Sequence, residues 1–238
     1  MAEGRDDSRR SFLRLAGGAG MLLSAGANMS QAQDKPAAEG KKAEEDVSPA
    51  EDLMREHGVL DRVLLIYDEG IRRLDATKDL DPGVLTASAG IVRRFIEDYH
   101  EKLEEDELFP RFEKAGTLAD LVDILRAQHQ AGGRLTDRIQ QLAIPATLKS
   151  PGGRGQLTEV LRQFIRMYRP HAAREDTVLF PALRRIVSPH EYEAMGEEFE
   201  EEEHRIFGED GFEKVVDQVA QLERQLGIHD LAQFTPRS

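Results

Sequence analysis

The chain has 238 residues, of which 45 are acidic and 32 are basic, so its formal net charge at neutral pH is −13. Such an acidic surface argues against nucleic acid or an anionic membrane as the main partner. The sequence contains no cysteine, which excludes disulfides, thiolate metal ligands and a cysteine nucleophile. Any metal must therefore be bound by histidine, carboxylate or water, and that ligand set favours iron, manganese or zinc.

Residues 1–27 resemble a twin-arginine export signal. The arginine pair is followed by a weakly apolar run that is too short and too rich in glycine for a good membrane span, and the run ends in a small-x-small cleavage site. The motif and the cleavage site read Ser8-Arg9-Arg10-Ser11-Phe12-Leu13-Arg14 and Ala25-Gly26-Ala27. Residues 28–47 are rich in Gln, Ala, Lys and Glu, which predicts a disordered linker.

The resemblance to an export signal implies a location in the periplasm or outside the cell. The twin-arginine route carries folded, cofactor-loaded proteins, so we expect transient contact with the export machinery and metal loading before export. We expect no stable membrane association after signal cleavage. Retention of the segment as a membrane anchor is the open alternative.

From residue 48 onward, apolar residues recur at helical spacing, which predicts an all-α protein. The expected long helices cover about residues 49–75, 82–114, 117–142 and 155–187. Short connections between them predict an up-down-up-down four-helix bundle over residues 48–190. A fifth, acidic helix and a last amphipathic helix form a C-terminal helical extension over residues 191–238.

A histidine-glutamate motif occurs twice in the predicted bundle. In each copy a glutamate follows the histidine by four residues, and Phe-Pro follows the glutamate by five. The copies are His100, Glu104 and Phe109-Pro110, and His171, Glu175 and Phe180-Pro181. Residues four apart lie on one face of a helix. Two such pairs in one small helical protein indicate a metal site.

A single histidine precedes each copy at a similar distance. His57 lies 43 residues before His100, and His129 lies 42 residues before His171. Each helix of the bundle would then contribute one inward histidine at a common level. Four histidines and two glutamates suit two metal ions, each with two histidines, bridged by both carboxylates and by hydroxide or oxide. This arrangement leaves open positions for a small ligand, and the mixture of imidazole and carboxylate suits iron.

The order of these motifs resembles the hemerythrin-like family with the HHE cation-binding domain, over about residues 50–190. The resemblance implies a non-haem di-iron centre in which Glu104 and Glu175 bridge the ions. The ligands that it implies are His57, His100, Glu104, His129, His171 and Glu175. Blood-pigment hemerythrins have a histidine pair on the third helix, where this chain has only His129. His204 on the fifth helix is the candidate for the missing ligand, and the alternative is a solvated histidine.

These features favour an exported di-iron protein that binds O2, or a related diatomic or peroxide, at an open iron position. One alternative is an enzyme that uses the same site to decompose peroxide or reduce nitric oxide. Another is iron storage or purely structural metal binding. No separate acid-base or nucleophile motif points to a named substrate, so whether the protein is an enzyme stays open.

Several neighbouring residues have two interpretations. Glu101 is either an exposed helix residue, which we favour, or an additional carboxylate near the metal. Tyr99 and Tyr168 either pack in the core or donate a hydrogen bond to a bound ligand. The Gly132-Gly133 pair indicates close packing of the third helix, and the acidic run 197–203 is most simply a solvated face.

Overall fold

A computed structural model describes residues 47–236 of the chain. Every regular element in this part of the chain is helical, which confirms the all-α prediction. The long helices are α1 (Pro49–Asp75), α2 (82–115), α3 (Ala119–Leu142) and α5 (151–186), with the short α4 (Pro145–Leu148) before α5. They are followed by α6 (Pro189–Phe207), α7 (Gly211–Leu226) and a 3-10 turn (Leu231–Phe234). The predicted export signal, and all of the predicted linker except its last residue, lie outside the described residues.

Side-chain caps start the helices where serine or aspartate precedes proline. Ser48, Asp81 and Ser188 each accept a hydrogen bond from a backbone N–H in the first turn of the helix that follows. The expected start of the fourth long helix near residue 155 is wrong, because Ser150 accepts a hydrogen bond from the Gly153 backbone N–H and the helix begins at Pro151. The glycines after Pro151 form the first turn of α5 instead of a loop. A Cβ added at Gly153 would overlap the Thr147 carbonyl.

The apolar stripes of the long helices meet in one core. Helix α5 packs against α1 and α3, and α2 also packs against α1 and α3. Helix α7 covers α1 and α2, while α6 packs against α1 and α7. The core side chains include Leu53, Leu60, Leu85, Leu161 and Phe164, each at most 1% exposed. No helix within the described residues combines the length and apolar character that a membrane crossing requires.

Helices α2 and α5 contain π segments that the helical periodicity did not predict. In α2 the successive segments are Pro82–Ile91 (α), Val92–His100 (π), Glu101–Leu103 (α), Glu104–Leu108 (π) and Phe109–Ala115 (α). In α5 they are Pro151–Arg174 (α), Glu175–Leu179 (π) and Phe180–Ile186 (α). The Phe109 N–H donates to the Glu104 carbonyl and the Phe180 N–H to the Glu175 carbonyl, in each case five residues back.

A proline follows the π segment of each motif by two residues, although Pro170 lies within a regular α segment. Pro110 and Pro181 have no N–H to donate, and in a regular α-helix the proline ring clashes with the carbonyl four residues earlier. A wider turn removes that clash without ending the helix. A π turn thus precedes Pro110, and the same turn occurs before Pro181.

The Gly132-Gly133 pair has two different environments. A Cβ at Gly132 would overlap the hydroxyl of Tyr168, whereas a Cβ at Gly133 would come no closer than 3.5 Å to the Arg93 guanidinium. The close packing predicted from the sequence therefore holds for Gly132. There the missing side chain lets α3 approach a buried tyrosine of α5.

Candidate metal centre

Six side chains from the four long helices converge at one level of the bundle. Helices α1 and α3 contribute one histidine each, and α2 and α5 contribute a histidine and a glutamate each. All six are at most 4% exposed: His57, His100, Glu104, His129, His171 and Glu175. We call His57 and His100 the first half of the centre, and His129 and His171 the second half.

Each glutamate lies between one histidine of each half. The two oxygens of Glu104 point to different halves, whereas a single oxygen of Glu175 lies near both. The distances are 3.7 Å from Glu104 Oε1 to His100 Nε2, 3.3 Å from Glu104 Oε2 to His129 Nε2, 3.3 Å from Glu175 Oε2 to His57 Nε2, and 3.2 Å from Glu175 Oε2 to His171 Nε2. This is the placement that a carboxylate bridge between two ions requires.

The buried polar atoms of the centre fit a metal. Neither glutamate has a hydrogen-bond partner for its oxygens among the described residues, and His129 Nε2 also has none. Burying carboxylates in this way is costly unless a cation compensates them. The potential ligand atoms form two groups, each lying within 4.8 Å, which share Glu104. The groups are His57, His100 and Glu104, and Glu104, His129, His171 and Glu175.

The first half shows the need for a cation directly. The Nε2 atoms of His57 and His100 lie 3.0 Å apart. Each ring directs its Nδ1 at a carboxylate, and a carboxylate can only accept, so each Nδ1 donates. Both Nε2 atoms then present lone pairs to each other unless a proton or a metal ion lies between them. Two nitrogens at about 2.1 Å from one ion, at a right angle, would lie about 3.0 Å apart.

A ring of outer contacts fixes the four imidazoles. The Nδ1 of each histidine is held by a side chain from an adjacent helix of the bundle. The distances are 2.7 Å from His57 to Asp176 Oδ1, 2.8 Å from His100 to Glu56 Oε2, 3.1 Å from His129 to Glu105 Oε1, and 2.9 Å from His171 to Gln128 Oε1. Such contacts select the tautomer whose Nε2 is free to bind metal and orient the ring.

Sequence reasoning left these outer residues unassigned. Glu56 and Gln128 each precede a histidine, and neighbours on an α-helix point about 100° apart. The structure shows that each contacts the histidine of a neighbouring helix instead of its own. Glu105 and Asp176 were missed, although both directly follow a motif glutamate. Their shared position in the two copies is the signal that identifies them.

The π turns allow two adjacent acidic residues to serve the same centre. Glu104 and Glu105 open one π segment, and Glu175 and Asp176 open another. A π turn rotates successive residues by less than an α-helix does. The first residue of each pair can thus face the centre while the second reaches the Nδ1 of a histidine on a neighbouring helix.

The two imidazoles of the first half have opposite pKa shifts. Burial lowers the pKa of His57, but the hydrogen bond to Asp176 and the nearby carboxylate of Glu175 outweigh it and raise the value to about 10. Burial dominates at His100 and lowers its pKa to about 3. Burial, together with the nearby charge of Glu104, raises the pKa of Glu175.

The second half repeats this pattern. Burial lowers the pKa of His129, but the nearby carboxylate of Glu104 and the hydrogen bond to Glu105 outweigh it and raise the value to about 11. Burial lowers the pKa of His171 to about 3. Each half thus has one imidazole that readily holds a proton and one that stays neutral.

The phenylalanines of the two motifs cover the single histidines. Phe180 stacks on His57 and Phe109 stacks on His129, each at a ring distance of 5.5 Å and an angle near 20°. The repeated spacing from glutamate to phenylalanine therefore places an aromatic ring against each single histidine. The aromatic rings exclude water from one side of each imidazole.

The structure does not bring His204 to the other six predicted ligands. It is half-buried on α6 and belongs to none of the converging ligand groups found among the described residues. The preceding residue, Glu203, is the buried one, and it lies with Asp52 and Glu56 in a third group of carboxylates. The acidic run 197–203 is thus a solvated face except at its last residue and at the buried Phe199.

The expectation that Glu101 is exposed is wrong. It is 4% exposed and accepts a hydrogen bond of 2.8 Å from the Tyr168 hydroxyl. Burial raises the pKa of Glu101 to about 7. The ring of Tyr168 also meets His171 edge to face at 5.5 Å. Both interpretations of Tyr168 were therefore incomplete, because it packs in the core and donates to a protein carboxylate.

Comparison with known proteins agrees with the geometry of this centre. The chain is 55% identical over 190 residues to an uncharacterized protein of Mycobacterium bovis and to uncharacterized proteins of two Mycobacterium tuberculosis strains. These matches cover 80% of this chain and 74% of each relative. No solved structure gives a significant match. The family model described as hemerythrin HHE cation binding domain matches residues 48–183, which include all six converging side chains. The chain therefore belongs to the hemerythrin HHE cation-binding family.

Proposed function

We propose that this protein is a non-haem di-iron protein of the hemerythrin type, which binds O2 or a related diatomic or peroxide at an open iron position. We also propose that α1, α2, α3 and α5 follow one another as an up-down-up-down bundle. The observation that supports the proposal best is the pair of buried ligand groups that share Glu104.

In this proposal each half of the centre binds one ion. His57 and His100 bind the first, His129 and His171 bind the second, and the two motif glutamates bridge them, together with hydroxide or oxide. Two imidazoles and shared carboxylates do not fill six positions on either ion, so sites remain for a small ligand. Iron is the metal of choice because it accepts both imidazole and carboxylate ligands.

A surface cavity lies near the first half of the centre. It has a volume of about 210 Å³ among α1, α5 and α6, and its lining includes Met54, Phe180 and Tyr192 together with the charged side chains of Glu51 and Arg184. The buried ring of Phe180 lies between this cavity and His57, on which it stacks.

When bound, a pair of ferrous ions supplies electrons for reversible oxygen binding or for reduction of a small ligand. The side chains hold the four imidazoles in their metal-binding tautomer and keep bulk water away from them. No separate acid-base or nucleophile motif in the sequence points to a named substrate, so reversible binding is the leading proposal and catalysis the alternative.

The test is metal analysis of natively produced protein, with absorption spectra under nitrogen, oxygen and peroxide. We expect two iron ions per chain and optical bands that appear with oxygen and disappear on its removal. Turnover of peroxide or nitric oxide would favour the enzyme alternative, and ions saturated by protein ligands would favour storage or a structural role. Absence of iron, or a single zinc ion, would overturn the proposal.

We further propose export by the twin-arginine route to the periplasm or the cell exterior, on the basis of the sequence motif at Arg9 and Arg10. Cell fractionation of the full-length chain tests this proposal. Replacing both arginines by lysine should retain the protein inside the cell. An unchanged distribution between the fractions would contradict the proposed route.

A further inference from the structure

The outer contacts of the two halves match each other except at one position. Asp176 and Glu105, which hold His57 and His129, both directly follow a motif glutamate and both are carboxylates. The other two outer residues, Glu56 and Gln128, both directly precede a single histidine. Here the chemistry differs, because the first half has a carboxylate and the second half has an amide.

The two residues make the same contact in spite of this difference. Glu56 Oε2 lies 2.8 Å from His100 Nδ1, and Gln128 Oε1 lies 2.9 Å from His171 Nδ1. Both oxygens accept from an imidazole N–H. The two contacts therefore orient the rings alike, but the acceptor is a carboxylate in one and an amide in the other. Two further buried carboxylates, Asp52 and Glu203, lie beside Glu56 and add to the negative charge near His100.

A charged acceptor and a neutral one affect the metal-binding nitrogen differently. A hydrogen bond to a carboxylate is roughly twice as strong as one to a neutral group. A carboxylate on Nδ1 also increases the basicity of the Nε2 that binds metal. Glu56 is fully buried, where solvent screens its charge least, while Gln128 is half-buried. The first half therefore has two carboxylate-supported imidazoles and the second half has one.

We propose that Glu56 and Gln128 are positioning residues that make the two metal subsites unequal. The subsite at His57 and His100 binds its ion more tightly, and the subsite at His129 and His171 fills last and empties first. This inference rests on the proposed di-iron function. It adds that the order of loading and release is set by one carboxylate-to-amide difference outside the ligand set.

Iron release from the full chain tests this inequality. The protein is loaded anaerobically with ferrous iron, its iron content is measured, and ferrozine then removes the metal. We expect two release phases of equal amplitude whose rates differ by about tenfold or more, because changes in such outer contacts alter metal affinity by about 10–100-fold.

Exchange of the two outer residues should move the phases in opposite directions. Q128E should slow the fast phase by about tenfold and bring it close to the slow phase. E56Q should accelerate the slow phase to a similar extent, and the double variant E56Q/Q128E should restore two separate phases. Q130E is the matched control, since it makes the same chemical change at an exposed position two residues further along α3, and it should release iron as the parent protein does.

A second readout separates an electronic effect from a purely structural one. Mössbauer spectra of the protein loaded with iron-57 should show two different ferrous sites, and these should become more alike in Q128E. The half-buried position of Gln128 lets this variant fold, which the thermal midpoint of the metal-free protein will check.

The outcomes distinguish this inference from the proposed function. If two iron ions load and leave in a single phase, or if Q128E leaves the fast phase unchanged, the inference is overturned and the di-iron function stands. If fewer than two iron ions load into the parent protein, the di-iron function itself is overturned.

Discussion

Compared position by position, the two halves of the metal centre differ most in what covers the phenylalanine behind each single histidine. In the second half the Arg126 guanidinium lies 5.3 Å from the ring of Phe109. At the equivalent position of the first half, Met54 and Phe180 line the same cavity. The spacing repeat relates Met54 to Arg126, since each precedes its single histidine by three residues.

The two halves have the same residue types at the inward positions and different residue types at the outward positions Met54 and Arg126. The inward side chains agree in both halves because a metal centre needs the same donors on each side. The outward side chains have different surroundings, because Met54 is exposed beside a cavity that Tyr192 of α6 also lines, whereas Arg126 is half-buried beside Phe109 and Glu113. The two halves therefore share one set of donors and differ in what surrounds it.

Removing a histidine ligand should have the largest effect on iron content and on stability. We expect H100A and H171A each to lose iron, with loss of the metal-linked stabilisation, which is about 2.7 kcal/mol when free metal exceeds its Kd by 100-fold. Iron content and the thermal midpoint with and without iron measure this effect. H190A is the control because His190 is exposed. Similar losses in both variants would support equivalent inner ligands, and unchanged iron content in either would contradict the assignment.

Metal affinity should fall steeply with decreasing pH in both halves. His57, with a pKa of about 10, and His129, with a pKa of about 11, hold protons at neutral pH and must release them to bind metal. Two released protons weaken binding about 100-fold for each unit of pH decrease. The raised pKa of Glu175 acts in the same direction. Titration of metal-free protein with ferrous iron between pH 6 and 8 measures how steeply the metal affinity depends on pH. An affinity that does not change with pH would contradict the predicted release of two protons.

The Tyr168 contact of the second half can be broken separately. G132A should destabilise the protein by about 1–3 kcal/mol, because its Cβ would overlap the tyrosine hydroxyl and force repacking. G133A is the matched control, since its Cβ has room, and removing a helical glycine is expected to stabilise by up to about 1 kcal/mol. Urea unfolding of both variants gives the comparison. Equal stabilities would show that α3 adjusts without cost.

The smallest change in stability is expected from substitutions at Arg126 and Met54, the equivalent positions at which the two halves differ most. R126M gives the second half the residue of the first and removes the cation from the Phe109 ring and an ion pair with Glu113. Both interactions are partly exposed, so we expect a loss of about 0.5–1 kcal/mol in urea unfolding. The reciprocal M54R serves as the comparison and should narrow the cavity beside Phe180. A loss of several kcal/mol in R126M would mean that Arg126 supports the metal centre itself.

Much of the fold could be predicted because it depends on local signals. Ser-Pro and Asp-Pro pairs start helices through short-range hydrogen bonds, and the apolar stripes that fill the core follow a simple helical period. The six converging side chains could be predicted for the same reason, since their spacing along each helix fixes their common level. The start of α5 was misjudged because the glycines after Pro151 suggested a loop, although Ser150 gave the stronger signal.

The misjudged and missed features depend on contacts between helices. Glu101 has no sequence signal for burial, because the Tyr168 hydroxyl that it accepts from comes from α5. His204 and Glu203 are adjacent in a long acidic run, and only the packing of α6 against α1 decides which of them turns inward. The π turns were not predicted because the helical spacing of apolar residues contains no signal for one widened turn.

The position of the two glutamates between the two halves of the centre has a consequence for a chain that contains no cysteine. A metal ion held between His57 and Glu175 would join points that are 118 residues apart along the sequence (175 − 57). Such a link would close loops through α1, α2, α3 and α5. Because the metal would bind the folded chain, it would stabilise the folded state by mass action instead of restricting the unfolded chain as a disulfide does. Unlike a disulfide, it would be broken by chelation instead of reduction. The bundle would then have a cross-link that stabilises it more as the concentration of free metal rises.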